Sequence, residues 1–350
     1  MAGSWPMAQV MAGASAVPVG HAVDLAFFFQ RQDDARQDAL IAEARRHLAG
    51  CVHAIEMALR LSLGHAPTIS DALDRLEPSL CWPMICAQPE LLSPPLLAHM
   101  RLRAAITLML RQRGRGAGDG SLHPVADPAA DDADTPLEAA AGLALAEGRW
   151  LIPGGEDRPM RPDLPAEHYA ELVWTVAACL ALAIRRGDAE DGGAAFAALE
   201  RSGWSLLADH DESASPTALA DQLVRQLGEG ADAPDLLGRA LDEQRFLLFA
   251  ALAARRLHMD SGQLLEILLL GPVEDVALLC HALGGSDAEY RRLLLWLRPA
   301  RPSLSDTALL EQVERQADMT TARADEALAL WRTPDAFRAK LAHLRGVTPA

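Results

Sequence analysis

Between residues 215 and 345 the chain alternates short apolar-periodic stretches with tight punctuation, and that rhythm limits what it can fold into. Leu219, Leu223 and Leu227 recur every fourth residue and stop at Gly228 and Gly230. Leu264, Leu265 and Leu268 stop at Gly271 and Pro272, and Val276, Leu279 and Leu283 stop at Gly284 and Gly285. Apolar residues three and four apart share one face of an α-helix, and Gly or Pro just beyond marks its end. The pattern predicts an all-α fold, an irregular array of short antiparallel helix pairs of the HEAT-like or α-solenoid-like kind. A compact multi-helix domain without regular stacking is the alternative for the same stretch. Composition points the same way. Half the residues are hydrophobic but only 5% are aromatic, and the apolar mass is Leu and Ala, strong helix formers.

The formal net charge of −16 repels phosphate backbones and anionic membranes, which argues against nucleic acid and membrane insertion as modes of action. The charge is uneven. Residues 286–350 hold ten Lys or Arg against nine Asp or Glu, a net of +1, so the preceding residues carry −17. Lys340 is the sole lysine, a bias expected of a GC-rich genome. Cys51, Cys81, Cys86, Cys179 and Cys280 are odd in number and scattered, as suits buried thiols in a reducing compartment. Residues 1–20 lack the charged and apolar regions of a signal peptide. The apolar run 172–184 is short for a bilayer span, for which about 20 residues are needed, and reads as a buried helix. The expected location is cytoplasmic.

Within the first half, Ala44, Leu48, Val52, Ile55 and Leu59 form one stripe of a helix expected over 34–63. Ser93 followed by Pro94 reads as an N-cap with Pro at the first helical position. Residues 114–136 collapse to Gly, Ala, Asp, Pro and Ser, a composition that predicts a disordered acidic linker. The expected organisation is a flexible tail over 1–22, an N-terminal helical domain over 23–113, the linker, and a helical array over 137–350. Further caps are expected at Asp242 and Asp260, and a capping box at Ser286 with Glu289.

Candidate chemistry is sparse. Glu43, His47 and Cys51 are four apart and share a helix face, but the tight ligand pairs of a structural zinc site are missing. Cys81 and Cys86 enclose Trp82 and Pro83, a spacing foreign to such sites. Adjacent Cys280 and His281 point to different sides of their helix, and His210 among Asp209, Asp211 and Glu212 reads as a hydrophilic loop. The expectation is no catalytic residue, no metal and no cofactor. The run Leu293, Leu294, Leu295, Trp296, Leu297 is apolar nearly all round, which marks a helix buried in the core or covered by a partner. The core reading is preferred for Trp296, with Arg291, Arg292 and Arg298 as the candidate partner surface.

The stretch 219–301 resembles an uncharacterised helical family of alphaproteobacteria, domain of unknown function (DUF) 2336. The likeness lies in the runs 246–255, 263–268 and 276–280 and in the ending Leu294 to Pro299; the helix over 40–60 is similar to that family's amino-terminal portion. The resemblance implies a helical, repeat-like cytoplasmic protein and supplies no catalytic residues. The functional expectation is a non-enzymatic protein-interaction or regulatory protein that binds another protein or a peptide. The alternatives are an enzyme or metalloprotein with its site in a bundle core, and a carrier of a lipid or other small ligand.

Overall fold

The computed structural model describes residues 39–65, 67–116, 134–152, 155, 158–187, 192–301, 304–316, 320–334, 337–338, 340–341 and 344. Over these residues the fold is all-α: fifteen α-helices, no strand, and one isolated bridge between Gly155 and Arg158. The helices divide into two compact units, one from residues 1–107 and 146–215, the other from 108–145 and 216–350, each taken over its described residues.

The first unit contains α1 (Ala39–Ser62), α2 (Pro67–Asp74), α3 (Cys81–Ala87), the start of α4 (Pro94–Gly116), the end of α5 (Asp134–Leu151), α6 (Ala166–Gly187) and α7 (Gly192–Ala208). The expected stripe Ala44, Leu48, Val52, Ile55, Leu59 is buried throughout. The buried arc of α1 is wider than that stripe, however, and takes in Glu43, His47, Cys51 and Glu56. Helix α6 packs against α1, α2, α3 and α7. It is the one described helix long and apolar enough to cross a membrane, and Leu172, Val173, Val176 and Leu180 along it are buried within the unit.

Short helices leave a large share of their end groups without internal partners, and the first unit satisfies them from a distance. The N-cap residue of α3, Leu80, gives no side-chain cap. Instead the buried Glu56 carboxylate accepts from Leu80 N at 3.2 Å and Cys81 N at 3.0 Å. Arg60 donates to that carboxylate at 2.8 Å, and to the carbonyls of Leu73 at 2.9 Å and Glu77 at 2.7 Å. Ser93 caps α4 as expected, its Oγ accepting from Leu96 N at 3.3 Å.

The second unit holds the rest of α4 and α5, then α8 (Pro216–Leu227), α9 (Leu236–Asp242), α10 (Phe246–Leu257), α11 (Ser261–Leu269), α12 (Val273–Ala282), α13 (Asp287–Leu297), α14 (Asp306–Gln316) and α15 (Thr321–Trp331). Helix α10 is its centre: ten of its 12 residues are buried, and it touches α8, α9 and α11. From there packing passes from α11 to α12 and from α12 to α13, α14 and α15. The caps expected at Asp260 and at Ser286 with Glu289 are present, the latter as a complete capping box.

Three expectations are corrected. Asp242 does not cap the following helix; α10 begins at Phe246 behind Arg245, and Asp242 ends α9 and pairs with Arg292. The ends of the expected linker are helical, since α4 runs through Gly116 and α5 starts at Asp134; residues 117–133 lie outside the described residues, as does the expected tail. Nor do the compact units divide at 114–136. Residues 146–215 belong with the N-terminal helices, because the apolar face of α6 is buried against α1, α2 and α3. A shift in composition along the chain does not by itself mark where one core ends and another begins.

In the second unit Trp296 is only 4% exposed and meets Phe246 and Phe249 edge-on, with ring centroids 5.3 and 5.7 Å away. The core reading of this residue therefore holds. Trp296→Ala is expected to cost about 3–5 kcal/mol, as large-to-small core truncations do, in urea denaturation of the full chain. Arg301, also buried, donates to the carbonyls of Leu268 at 2.6 Å, Gly271 at 2.7 Å and Ile267 at 2.7 Å, so it closes the C-terminal end of α11. Burial pushes its guanidinium pKa down to about 10, still charged at neutral pH. A lysine keeps the charge but lacks the planar fork. Arg301→Lys is expected to cost about 1–3 kcal/mol in the same measurement, through carbonyls left unpaired.

Candidate interaction groove and a buried polar cluster

The second unit contains a cleft of about 410 Å³ between α9 on one side and the α12–α13 turn on the other. Leu237, Leu241, Phe249, Leu283, Leu293 and the Cys280 thiol supply its apolar lining. The turn owes its shape to Gly284, whose φ of +76° is a conformation that side chains resist. Gly285 N then bonds back to Cys280 O at 2.9 Å, closing the end of α12. On the opposite wall Gly238 leaves the cleft open: a Cβ added there meets nothing within 4 Å.

The charged residues of the rim are largely committed to partners inside the unit. Asp235 pairs with Arg239 at 3.2 Å, and Asp242 pairs with Arg292. Glu289 accepts from Ser286 N and Ser286 Oγ, each at 2.7 Å, and these bonds hold its carboxyl below the usual range. Arg256 donates to Ala233 O at 2.5 Å. Burial pushes the Cys280 thiol up to about 12, so it sits in the wall as a neutral apolar group. The result is a cleft of mixed lining, with aliphatic and aromatic side chains in its walls and ion pairs at its edge, and Trp296 packs behind it against Phe249.

Of the three arginines expected to form a partner surface, only Arg292 meets this site, through Asp242 at its rim. Arg298 pairs with Asp306 at 2.8 Å, and Arg291 is exposed on α13. The neighbouring Leu295 is 54% exposed, the one outward-facing member of the 293–297 run. Sequence reading missed α9 and the α12–α13 turn as walls. The available signals were the glycine inside the α9 pattern and the doubled glycine after α12.

The residues weighed for a metal lie in the first unit and make a different structure. Glu43 Oε1 meets His47 Nε2 at 3.0 Å and also pairs with Arg46. Cys51 faces Arg103 Nη1 at 3.6 Å rather than the other two. Arg103 is 1% exposed, lies over the Trp150 ring at 4.7 Å, and donates to the carbonyls of Arg161 at 3.0 Å and Asp163 at 3.4 Å. The Asp163 carboxylate in turn accepts from Trp150 Nε1 at 3.1 Å and pairs with Arg161 at 3.0 Å. Among the described residues no three of His, Cys, Asp or Glu come together as a metal would need. His210 likewise has a structural setting: it bonds to Leu164 O at 2.8 Å and stacks on Tyr169 at 3.9 Å. Cys280 is buried while His281 is half-exposed beside Thr321, so the two point apart as expected.

Burial, the leading cause, drives the His47 pKa down to about 4, against the opposing pull of Glu43; the same cause drives His99 down to about 3. For His47 the unfolded value near 6.5 is the higher one, so the unfolded chain takes up this proton first as pH falls. The stability linked to neutral His47 is complete above pH 6.5 and drains away down to about 4. Denaturant melts across this window should lose on the order of 3 kcal/mol from this residue. His47→Gln should show a visibly shallower loss, and an unchanged slope would contradict the assignment.

Comparison with protein-family models, with curated proteins and with solved structures finds no match to this chain.

Proposed function

We propose that this chain is a non-enzymatic, cytoplasmic protein-interaction or regulatory protein of helical-repeat type, and that the cleft of the second unit receives apolar side chains from another protein or a peptide. Kinship with the DUF 2336 family goes with this reading. One observation carries it: a cleft of mixed lining that offers aliphatic and aromatic walls and whose rim charges already have partners. Its 410 Å³ falls within the roughly 300–1,000 Å³ common for binding clefts, enough for one or two large side chains. Buried apolar anchors in such clefts supply most of the binding energy of an interface, while a paired rim excludes water. A small apolar ligand is the competing occupant, and the alternative of an enzyme draws no support from the residues around the cleft.

Gly238 provides the test. Substituting Gly238→Phe fills the cleft from a wall where there is room for a side chain, and Gly is the poorest helix former after Pro. The variant is expected to melt at or above the wild-type temperature. Used as bait beside wild type in quantitative affinity capture from the native cell, it should lose the proteins that wild type retains. Identical capture by both baits would exclude this cleft. Loss of a co-purifying small molecule, with protein capture unchanged, would favour the carrier.

A further inference from the structure

Helix α6 is apolar and long enough to cross a membrane, yet only 56% of that apolar stretch is buried. Leu172, Val173, Val176 and Leu180 face the core of the first unit. On another side Trp174, Ala178 and Leu182 recur every fourth residue; Ala178 is exposed and the other two are half-buried. Helix α7 packs beside α6. Trp204 on α7 meets Trp174 edge-on, with ring centroids 5.1 Å apart, and is still 57% exposed. Gly203 permits that contact, since a Cβ there would stand 2.7 Å from the Trp174 ring. Trp174 lies about as far from the end of α6 as Trp204 does from the start of α7, so the two helices run antiparallel. Phe196 and Glu200 continue the Trp204 stripe toward the start of α7, and both are exposed.

Charge on this face is scarce and balanced. From Leu172 to Ile184 α6 has no charged residue, and α7 has one of each sign, Glu200 and Arg201. Both are exposed, and neither has an ion-pair partner among the described residues. The exposed Arg239, Arg292 and Arg298 of the second unit are all paired.

We propose that the α6–α7 face is a two-fold interface between two copies of this chain, each contributing one antiparallel helix pair. This inference concerns the first unit and does not rest on the reading of the cleft.

Charge selects a second copy as the occupant. The chain carries −16, so two copies repel each other across any surface that shares the acidic excess. A face with one carboxylate and one guanidinium is where they approach at least cost. A two-fold interface must also complement itself, and neighbouring residues of opposite sign do so: Glu200 of one copy faces the partner's Arg201, and the reverse. A basic partner would be drawn to the acidic surface elsewhere, and an anionic membrane is repelled. Trp204, Phe196 and the half-buried Trp174 supply the aromatic anchors that interfaces between proteins bury.

Sedimentation of the full-length chain over a dilution series, in reductant, tests this. The expected mass at the concentrated end is about 75 kDa, twice 37.5 kDa. Trp204→Glu and Phe196→Glu set a carboxylate among the exposed rings and should each return the mass to 37.5 kDa, with helicity by circular dichroism unchanged. Glu200→Arg and Arg201→Glu should each raise the dissociation constant about tenfold or more, because like charges then meet. An equimolar mixture of these two variants should associate as tightly as wild type, since each copy again meets the opposite charge. Both positions are exposed and unpaired, so these variants keep the fold should an aromatic variant lose it. A wild-type mass of 37.5 kDa at every concentration, a dimer that all four variants leave intact, or charge variants that fail to recover on mixing would overturn the proposal. So would a monomer that co-sediments with phosphatidylcholine vesicles and no longer does so as Trp204→Glu, which assigns the face to a lipid surface.

Discussion

The recurrent interaction in this structure is an arginine fork laid on backbone carbonyls. Arg60 holds Leu73 O and Glu77 O; Arg103 holds Arg161 O and Asp163 O; Arg149 reaches Ala214 O; Arg256 reaches Ala233 O; Arg332 reaches Leu257 O; Arg301 takes three carbonyls at once. For Arg60, Arg301 and Arg332 the cause is the shortness of the helices, whose last carbonyls they take at the ends of α2, α11 and α10; Arg103, Arg149 and Arg256 serve carbonyls of the connecting loops and turns. Each helix leaves four C-terminal carbonyls unpaired, and in elements of 7–12 residues such as α3, α9, α10 and α11 that is a third or more of all the carbonyls. A guanidinium offers several donors in one plane and brings positive charge to the negative end of the helix dipole. Arginine is abundant in this chain and lysine nearly absent, and the fold puts the planar side chain to use where an ammonium would satisfy fewer acceptors.

Local signals in the sequence were legible, and the contacts that join distant segments were not. The α1 stripe, the Ser93 and Asp260 caps and the Ser286–Glu289 box each depend on residues within a few positions of one another, so spacing alone reveals them. Trp296 was legible as core because the residues beside it on α13 are apolar on nearly every side. Glu56, Arg103 and Arg301 look like surface residues in sequence. They are buried because their partners come from elsewhere: the N-terminus of α3, the segment before α6, the end of α11. Asp242 followed the cap pattern locally, yet a cross-chain pair with Arg292 claimed it. The cleft was invisible for the same reason, since α9 and the α12–α13 turn carry no chemical signature until they face each other.

The two units differ in how much charge they bury, Arg301 being the one buried charge of the second among the described residues. The first draws charge inward. Glu43, Arg103 and Asp163 are buried beside a neutral His47, and each of the three charges has a counter-charge or a carbonyl. Removing one partner from such a set leaves another charged group without compensation, so these positions tolerate little change. Neutral His47 adds sensitivity to acid without requiring any catalytic role. Perturbed pKa values often mark active sites, but a structural network of buried pairs produces them as well.

The second unit keeps its centre dry around α10 and spends its ion pairs at the edges, and this bears on how its cleft would recognise anything. Asp235 with Arg239, and Asp242 with Arg292, are exposed pairs, each of which adds little to stability. Their effect on the cleft is different: charges that already have partners give an incoming group little to neutralise. Charge attraction from the rim is correspondingly weak, while the apolar lining gains whatever surface the occupant removes from water, at about 25 cal/mol per Å². Shape then decides, and shape here depends on the missing side chain of Gly238 and the tight turn at Gly284. In the proposed reading, specificity rests on how well an apolar anchor fits between Leu237 and Leu283 with Phe249 beneath, and Trp296 holds that floor in place from the core side.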